Sequence, residues 1–277
     1  MNVRIVIDST ADTTPAVREK CAVVPLSVLF GDEQFADGVT LTAEDFYKKI
    51  AEGKVHPTTS QPNPALFAQA YEEAIEAGQD VVVLTISSKI SGTYQSACIA
   101  AMDYPGRVHV VDTRNVAIGA GILAQYALEL AEKGMPAADI AAELTAQRER
   151  IRLVAVVDTL EYLKRGGRVS PTVAFAGELL SIKPIIAIEN GEVAVIGKVR
   201  GSKQANAFLN KDILTRGVDR KLPILLGYSG LSRDMLDKYR ADSTHLWTPD
   251  QNSTVIGAAI GVHAGPGAVA VAFFQET

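Results

Sequence analysis

Residues 81–101 read VVVLTISSKISGTYQSACIAA, and this stretch indicates the fold class. Its first six residues form an apolar run interrupted by a single threonine, as expected of a strand that is buried on both faces of a parallel sheet. A loop rich in hydroxyl residues follows, and residues 93–101 predict a helix. A buried strand that leads into a helix is half of a right-handed β-α-β unit.

The same alternation covers most of the first half of the chain. Comparable apolar runs occupy residues 3–7, 108–111 and 153–157, and helical patterns occupy residues 64–77 and 116–133. Because β-α-β connections place helices on the faces of a sheet, this order predicts an α/β domain with a mostly parallel sheet flanked by helices.

The pattern changes after about residue 150. Asn190-Gly191 separates two apolar runs at residues 184–189 and 192–197, which is a strong signal for an antiparallel hairpin. Further strands are predicted at residues 223–228 and 268–273, and helices near residues 202–215 and 232–241. We therefore predict two α/β domains, residues 1–150 and residues 151–277, the second with a mixed sheet. A cleft between them is the expected ligand site.

Composition excludes several classes of protein. The chain has 277 residues, 47% of them apolar and 21% charged, and a net charge of −5, which argues against disorder and against a nucleic-acid binder that works through bulk charge. Two cysteines cannot build a disulfide framework. Residues 255–274 are uncharged but contain Gly-Pro-Gly, so they predict a helix, a loop and a strand rather than a membrane span. A cytoplasmic protein without stable membrane insertion is expected.

General enzyme motifs are absent from the sequence. It has no G-x-S-x-G nucleophile motif and no P-loop, and its four histidines lack carboxylate or cysteine partners at metal-ligand spacing. The glycines of residues 119–124 match a dinucleotide motif loosely but lie in a helical pattern, which favours helix packing. No catalytic residue, metal or cofactor is predicted.

Hydroxyl residues cluster where strands end and helices begin. Three such segments are residues 8–12, 58–62 and 87–97. Helix capping by Ser, Thr or Asp explains part of this pattern. A single cap needs one hydroxyl, however, and Gly92 with the exposed amides of a helix start favours a small anion. Both interpretations remain open from the residues alone.

Two later segments carry charge. Residues 158–168 predict a short helix that ends at a glycine pair, with cations that either complement the helix end or dock an anionic or protein partner. His263 lies in a tight loop before the last strand. It is either structural or able to polarise a bound carboxylate.

Taken together, these segments resemble the DegV family of bacterial fatty-acid-binding proteins. The matching motifs are residues 8–12, 59–62, 91–97, 160–168 and 263–267, which occur in the family's order over essentially the whole chain. Asn63 stands where a serine is commoner, which is a minor departure.

The resemblance implies a long-chain fatty acid, such as palmitate, between two α/β domains. The first domain would carry the carboxylate-binding loops and the second would close over the acyl chain. Carboxylate-binding residues carried over from the family are Thr59, Ser60, Ser91, Gly92 and His263.

The resemblance also implies a partner. Family members present the bound acid to a separate ATP-dependent kinase that makes an acyl-phosphate, so the chain itself would be a carrier and not an enzyme. Lys164, Arg165 and Arg168 would belong to the docking surface. Arg168 is expected to lie apart from the ligand site, so that its loss would leave fatty-acid affinity nearly unchanged.

Two other functions stay open from the residues. A stand-alone acyl-ester hydrolase or transferase would use Ser91 with His263 and either Asp8 or Asp158, since such triads are defined by geometry rather than by motif. A phosphosugar- or nucleotide-binding domain would use the hydroxyl- and glycine-rich loops at the strand ends.

Overall fold

The computed structural model describes residues 2–53, 55–169 and 181–276. The strands are β1 Val3–Asp8, β2 Ala22–Val24, β3 Ser27–Phe30, β4 Glu33–Ala36, β5 Thr58–Ser60, β6 Asp80–Thr85, β7 Val108–Asp112, β8 Ile151–Val156, β9 Ile182–Glu189, β10 Glu192–Arg200, β11 Leu225–Tyr228, β12 Ser253–Val255 and β13 Val269–Phe274. The helices are α1 Pro15–Arg18, α2 Ala43–Ala51, α3 Pro64–Glu76, α4 Thr93–Ala101, α5 Ala117–Glu132, α6 Ala137–Gln147, α7 Glu161–Arg165, α8 Ser202–Arg216, α9 Asp234–Asp242 and α10 Ala258–Ala264.

The first sheet is parallel and has the strand order β2-β1-β6-β7. Alternate side chains of its central strands enter two cores. Ile5 and Leu84 pack in the core that contains α5, whereas Val6 and Val83 pack in the core of α3 and α4. Helices therefore cover both faces, which confirms the predicted α/β architecture with a parallel sheet.

The second sheet is mixed and has the order β10-β9-β8-β13-β11-β12. The hairpin predicted at Asn190-Gly191 is present, with φ of 53° and 84° at its two turn residues. Its tip contacts the first half of the chain, where the Ser87 hydroxyl donates to the Gly191 carbonyl over 2.6 Å. This contact places the hairpin beside the loop that follows β6.

One strand was assigned to the wrong sheet. Residues 153–157 were expected in the parallel sheet, but β8 pairs antiparallel with both β9 and β13. Leu153 packs in the core around α5, and Val154 packs in the core that contains α8. Burial on both faces makes a strand apolar throughout, and that property does not fix its direction.

A third sheet was not predicted. It is antiparallel, with the order β4-β3-β5, and its strands have only three or four residues. Residues 58–60, expected in a loop before a helix, form β5. The sheet packs against α2 and α10 through Val28, Phe46 and Val262.

The uncharged segment 255–274 divides as predicted into the end of β12, helix α10, a loop and β13. Within the described ranges, no helix has both the length and the apolar character that a membrane crossing requires. The parallel sheet lies before residue 150 and the mixed sheet after it. The division into two domains at that point stays a prediction.

Candidate functional site

An apolar cavity lies between the parallel and mixed sheets. Its walls come from strand ends and loops of the first half, from the hairpin and central strands of the mixed sheet, and from α10. The space between these walls, including its opening, is about 850 Å³. Representative wall residues are Ile86, Leu153, Ile186, Ile188, Ile260 and Ala270. Walls of this kind bind an apolar chain.

Polar side chains are few in the cavity lining. They are Thr10, Thr59, Ser91, Arg168 and His263. A second, open depression, here called the outer bowl, adjoins the cavity and is lined by Leu26, Thr59, Ser60, Gln61, Ser88, Lys89, Ile90, Ser91, Gly92 and Arg168. Three polar residues, Thr59, Ser91 and Arg168, line both spaces, as do the apolar residues Leu26 and Ile90. We call the three polar residues the mouth.

Thr59 and His263 meet at one side of the mouth. Strand β5 supplies Thr59 and α10 supplies His263, and the Thr59 hydroxyl oxygen lies 2.9 Å from His263 Nε2. Burial lowers the pKa of His263 to about 4, and the nearby Arg168 cation acts in the same direction. The imidazole is therefore neutral at pH 7 and carries a single proton.

No described residue forms a hydrogen bond with the other ring nitrogen of His263. This atom, Nδ1, is buried. The backbone of Gly166 packs against this side of the ring, since a Cβ added at Gly166 would lie 2.0 Å from Nδ1. A side chain at Gly166 would displace the ring, so the glycine that follows α7 fixes where His263 sits.

Ser91 occupies the other side of the mouth, at the start of α4. Its Oγ lies 2.8 Å from the hydroxyl oxygen of Thr93 and accepts the Thr93 amide proton over 3.3 Å. Gly92 is the N-cap residue of α4. A Cβ at Gly92 would lie 2.2 Å from Gln61 Oε1, so a side chain at this position would displace the Gln61 amide group from the helix start.

Arg168 is not where the sequence placed it. It was expected apart from the hydroxyl cluster, but it lines both the cavity and the outer bowl and donates a hydrogen bond to the Ile90 carbonyl over 3.1 Å. Arg168 therefore lies beside the hydroxyl residues and not apart from them, and its role in docking stays a prediction. It lies there because the chain turns back after α7 at Gly167, which has a φ of 70°.

The remaining predicted residues divide by position. Lys164 and Arg165 are exposed on α7, and Arg165 forms an ion pair of 2.8 Å with Glu161. Ser60 is exposed and lines the outer bowl but not the cavity. The docking role of the three cations, and the carboxylate-binding role of Ser60, stay predictions.

The segment after β1 does not cap α1, the helix that follows it in sequence, because the N-cap residue of α1 is Thr14. The carboxylate of Asp8 accepts hydrogen bonds from the Thr10 amide over 2.9 Å and from the Ile86 amide over 2.7 Å. Burial raises the pKa of Asp8 to about 6 despite these bonds. The carboxylate ties the ends of β1 and β6 together, and Thr10 enters the cavity lining. Thr10 follows a buried parallel strand, and this position is the sequence signal that could have identified Thr10 as a lining residue.

The hydrolase alternative needs a nucleophile, a base and an orienting carboxylate in one chain of hydrogen bonds. His263 Nε2 instead faces Thr59, and the Ser91 hydroxyl faces Thr93. Asp158 pairs with Lys183, and Asp8 is engaged by Thr10 and Ile86. These four residues do not form a triad.

Metal and nucleotide sites have no support in the part of the chain described. Among residues 2–53, 55–169 and 181–276, no group of three or more His, Cys, Asp or Glu side chains could hold a metal ion. Gly119 and Gly121 lie inside α5, and a Cβ at Gly121 would lie 1.9 Å from the Asp12 carbonyl oxygen. Both glycines of the weak dinucleotide motif thus serve packing, as predicted.

The fold and the mouth define a class of α/β protein, in which a parallel and a mixed sheet enclose an apolar cavity with hydroxyls, an imidazole and a guanidinium at its opening. The DegV family model, whose family is described as uncharacterised, matches residues 2–276. The chain belongs to the DegV family.

Relatives and solved structures agree over the full length of the chain. A DegV domain-containing protein of Deinococcus radiodurans is 39% identical over 277 residues, 98% of each chain. A fatty-acid-binding DegV family protein from Thermus thermophilus is 35% identical and gives a TM-score of 0.89, with both chains covered completely. A stearic-acid-binding protein from Eubacterium ventriosum is 25% identical and gives a TM-score of 0.82, with 99% of this chain and 98% of the other covered.

Proposed function

We propose that this chain binds a long-chain fatty acid, with the acyl chain in the cavity and the carboxylate at the mouth. The observation that carries this proposal is that one apolar cavity opens through Thr59, Ser91 and Arg168. Fatty-acid binding by the relatives from T. thermophilus and E. ventriosum supports it. Residues 1–150 would supply the carboxylate-binding loops, and residues 151–277 would close over the acyl chain.

The two parts of such a ligand have different requirements. Each buried methylene group contributes about 0.8 kcal/mol, so the acyl chain supplies most of the affinity. A carboxylate that leaves water without donors costs several kcal/mol, so the head group needs hydrogen bonds from the mouth. The mouth supplies the hydroxyls of Thr59 and Ser91 and the Arg168 guanidinium. The adjoining outer bowl adds the Gly92 amide, the Ser60 hydroxyl and the Lys89 ammonium group.

The hydrogen bonds behind the mouth set the direction of these hydroxyls. A neutral imidazole that holds its proton on Nε2 donates to the Thr59 oxygen, which leaves the Thr59 proton free for a carboxylate. In the same way, a Thr93 hydroxyl that donates to Ser91 leaves the Ser91 proton free. His263 would thus act through Thr59 rather than as a direct ligand.

We further propose that the chain presents the carboxylate to a separate ATP-dependent kinase in the cytoplasm. The outer bowl exposes the mouth to solvent, and Lys164 and Arg165 are exposed on α7. Exposed cations steer an anionic partner through long-range attraction. Acyl-phosphate formation would then depend on the partner, and this chain would work as a carrier.

The first experiment is native mass spectrometry of the purified protein, followed by extraction of bound lipid and an ester-hydrolysis assay. We expect a co-purified fatty acid and no hydrolysis. A protein that carries no lipid and binds no fatty acid at micromolar concentration would contradict the proposal. Ester turnover that is lost in Ser91→Ala would instead support a hydrolase.

The docking proposal needs its own measurement. Arg165→Ala is expected to keep palmitate affinity and to slow acyl-phosphate formation when a cognate kinase and ATP are present. Added salt should slow the wild-type reaction as well, because it screens charge attraction. Arg233→Ala is the control, since Arg233 likewise pairs with an acid four residues away on another exposed helix. Equal turnover in both variants and the wild type would place the docking surface elsewhere.

A further inference from the structure

Two buried carboxylates that the proposed binding site does not use lie at the start of α10. Asp12 is 6% exposed and Asp37 is 3% exposed. Asp12 follows β1, and Asp37 follows β4 of the antiparallel sheet. Their closeness is evident at Gly257, where an added Cβ would lie 3.0 Å from Asp12 Oδ1 and 3.7 Å from Asp37 Oδ1.

Both carboxylates cap helix α10 from a distance in sequence. The Gly257 amide donates to Asp12 Oδ1 over 2.8 Å, and the Ala258 amide donates to Asp37 Oδ1 over 3.2 Å. The N-cap residue, Gly257, has no side chain that could do this itself. The first amides of a helix need acceptors, and a negative charge at this end is favourable.

The helix that they cap carries the head-group side of the cavity. Its residues Ala259, Ile260, His263 and Ala264 line the cavity. Tyr47 supports it from α2, because the Tyr47 hydroxyl donates to the Ile256 carbonyl over 3.0 Å and would lie 2.8 Å from a Cβ at Gly261. A shift of α10 would therefore move His263 away from Thr59.

Two negative charges at this place would repel each other in a region of low dielectric constant. In the described part of the chain, the second oxygen of each carboxylate, Oδ2, is buried without a hydrogen bond of ordinary geometry. The Ser9 hydroxyl and the Ala259 amide also lie near Asp37 and act to lower its pKa, but burial outweighs them. Burial raises the pKa of both Asp12 and Asp37, and the charge of Asp37 raises the pKa of Asp12 further. A proton that stays on the pair removes one of the two negative charges. It therefore weakens the repulsion between the carboxylates and lowers the cost of a buried oxygen without a donor.

The other ionisable groups around the pair come from three elements. Asp8 at the end of β1 adds negative charge near Asp12, and Arg18 of α1 places a cation near both carboxylates. The Tyr47 phenol of α2 is neutral, because burial raises its pKa. Among the described residues, three carboxylates thus share one nearby cation, Arg18. This environment fits a pair with a single charge better than a pair with two.

We propose that Asp12 and Asp37 are positioning residues that together hold one proton and one negative charge, and that in this form they cap α10 and keep His263 against Thr59. This inference rests on the proposed fatty-acid site. Under this proposal, the relative position of His263 and Thr59 depends on two carboxyl groups that do not themselves line the cavity.

The proposal predicts different effects for asparagine and for alanine. Asparagine resembles a protonated carboxyl group and still offers an acceptor to the helix amides. Asp12→Asn and Asp37→Asn should each have a palmitate affinity within about twofold of that of the wild type. Asp37→Ala should have an affinity about fivefold lower, because alanine removes an acceptor that caps α10. Gly257→Ala, which crowds Asp12 Oδ1 and leaves both carboxylates in place, should weaken palmitate binding while the protein stays folded.

The loss should concern the acid head group. Hexadecanol has the same chain length but no carboxylate, so Asp37→Ala and Gly257→Ala should bind it as the wild type does. Equal losses for palmitate and hexadecanol would mean that the cavity as a whole has loosened, and that the pair does not position the head-group residues. Wild-type affinity for palmitate in both variants would also overturn the positioning role.

Thermal unfolding between pH 5 and pH 9 tests the shared proton separately. A carboxyl group whose pKa is raised on folding stabilises the protein at low pH, and this contribution disappears as the pH rises through the raised pKa. The melting temperature of the wild type should therefore fall with pH more steeply than that of Asp12→Asn or Asp37→Asn. Asp32→Asn, at an exposed position in the turn between β3 and β4, is the control and should follow the wild type.

Two results separate the inference from the proposed function. If both asparagine variants melt below the wild type at every pH with an unchanged slope, both carboxylates are ionised and the inference is wrong. If the wild type binds no fatty acid, the proposed function fails and takes the positioning role with it. The melting series would still decide whether the pair holds one proton.

Discussion

His263 Nε2 lies 2.9 Å from the hydroxyl oxygen of Thr59, although the two residues are 204 positions apart in sequence. The contact joins β5 of the small antiparallel sheet to α10. His263 Nδ1 has no hydrogen-bond partner among the described residues, and the lowered pKa of the ring leaves it neutral at pH 7. The contact therefore joins the Thr59 hydroxyl to a neutral imidazole and not to a cation.

Thr59→Val should weaken palmitate binding about tenfold or more, because a hydrogen bond to a charged group contributes about 1.5–3 kcal/mol. Valine keeps the shape of threonine and removes the hydroxyl. Thr58→Val is the control, since Thr58 is exposed and neighbouring side chains of a strand point to opposite faces. Isothermal titration calorimetry of both variants checks this, and equal affinity in Thr59→Val and wild type would place the carboxylate elsewhere.

The lowered pKa of His263 also predicts a pH effect on stability. The folded protein protonates this ring at about pH 4, whereas an unfolded chain does so near pH 6.5. The contribution of His263 to stability is thus complete above about pH 6.5 and is lost as the pH falls toward 4. Thermal unfolding between pH 7 and pH 5 should show a steeper loss in the wild type than in His263→Gln, which keeps an N–H donor and cannot titrate. Asp8 titrates in the opposite sense but is present in both proteins, so parallel profiles would argue against the buried neutral ring.

Ser91→Ala should weaken palmitate binding about tenfold, for the same reason as the loss of the Thr59 hydroxyl. If the Thr93 hydroxyl orients Ser91, Thr93→Val should have a smaller effect, and the double variant should bind like Ser91→Ala alone. Ser232→Ala is the control, because the Ser232 hydroxyl likewise accepts an amide proton from the residue two positions on, at an exposed position outside the cavity lining. A double-mutant cycle measures this coupling, and strictly additive losses would show that Thr93 acts independently of Ser91.

The architecture was largely predictable because its signals are local. Uninterrupted apolar runs identified the buried strands, and Asn190-Gly191 identified the hairpin. The short antiparallel sheet was missed because strands of three or four residues do not produce a readable period, and β5 in particular consists of Thr58, Thr59 and Ser60. The direction of β8 depends on its neighbours, which no local pattern reports.

The site was predictable by its residue types but not by its geometry. Hydroxyl clusters pointed to Ser91 and Thr59 separately, and the family resemblance joined them to His263. Arg168 shows the limit of this reasoning, because the family resemblance and its place beside a glycine pair assigned its cation to a docking surface apart from the hydroxyl residues. Only the turn after α7 reveals that its side chain returns to the mouth.

Arg168→Gln should weaken palmitate binding about tenfold, because it removes a positive charge next to the carboxylate and a charged hydrogen bond contributes about 1.5–3 kcal/mol. Hexadecanol has no carboxylate, so its binding should not change. Glutamine retains an N–H donor for the Ile90 carbonyl, which the guanidinium contacts over 3.1 Å. Arg165→Gln is the control, because Arg165 is exposed and paired with Glu161. Fluorescence displacement with both lipids checks this. Unchanged palmitate affinity in Arg168→Gln would restore the view that Arg168 serves docking alone.

Removal of the ligand should lower the melting temperature of the protein. A ligand that binds only the folded state stabilises it by about 2.7 kcal/mol at a free concentration of 100 times its Kd. For a chain of this size, each 1 kcal/mol changes the melting temperature by about 2–4 °C, so delipidated protein should melt about 5–10 °C lower and recover with added palmitate.

Two parts of the structure contribute to this stabilisation. The side chains of the cavity wall lose their contacts with the acyl chain when the ligand is removed. The donors at the mouth lose the carboxylate as an acceptor. Methyl palmitate separates the two contributions, because it fills the cavity but carries no charge for Arg168, and it should therefore restore only part of the loss. Differential scanning calorimetry of the purified protein, the delipidated protein and the delipidated protein with palmitate or with methyl palmitate measures both contributions. A melting temperature that does not change when palmitate is added would rule out the cavity as its binding site.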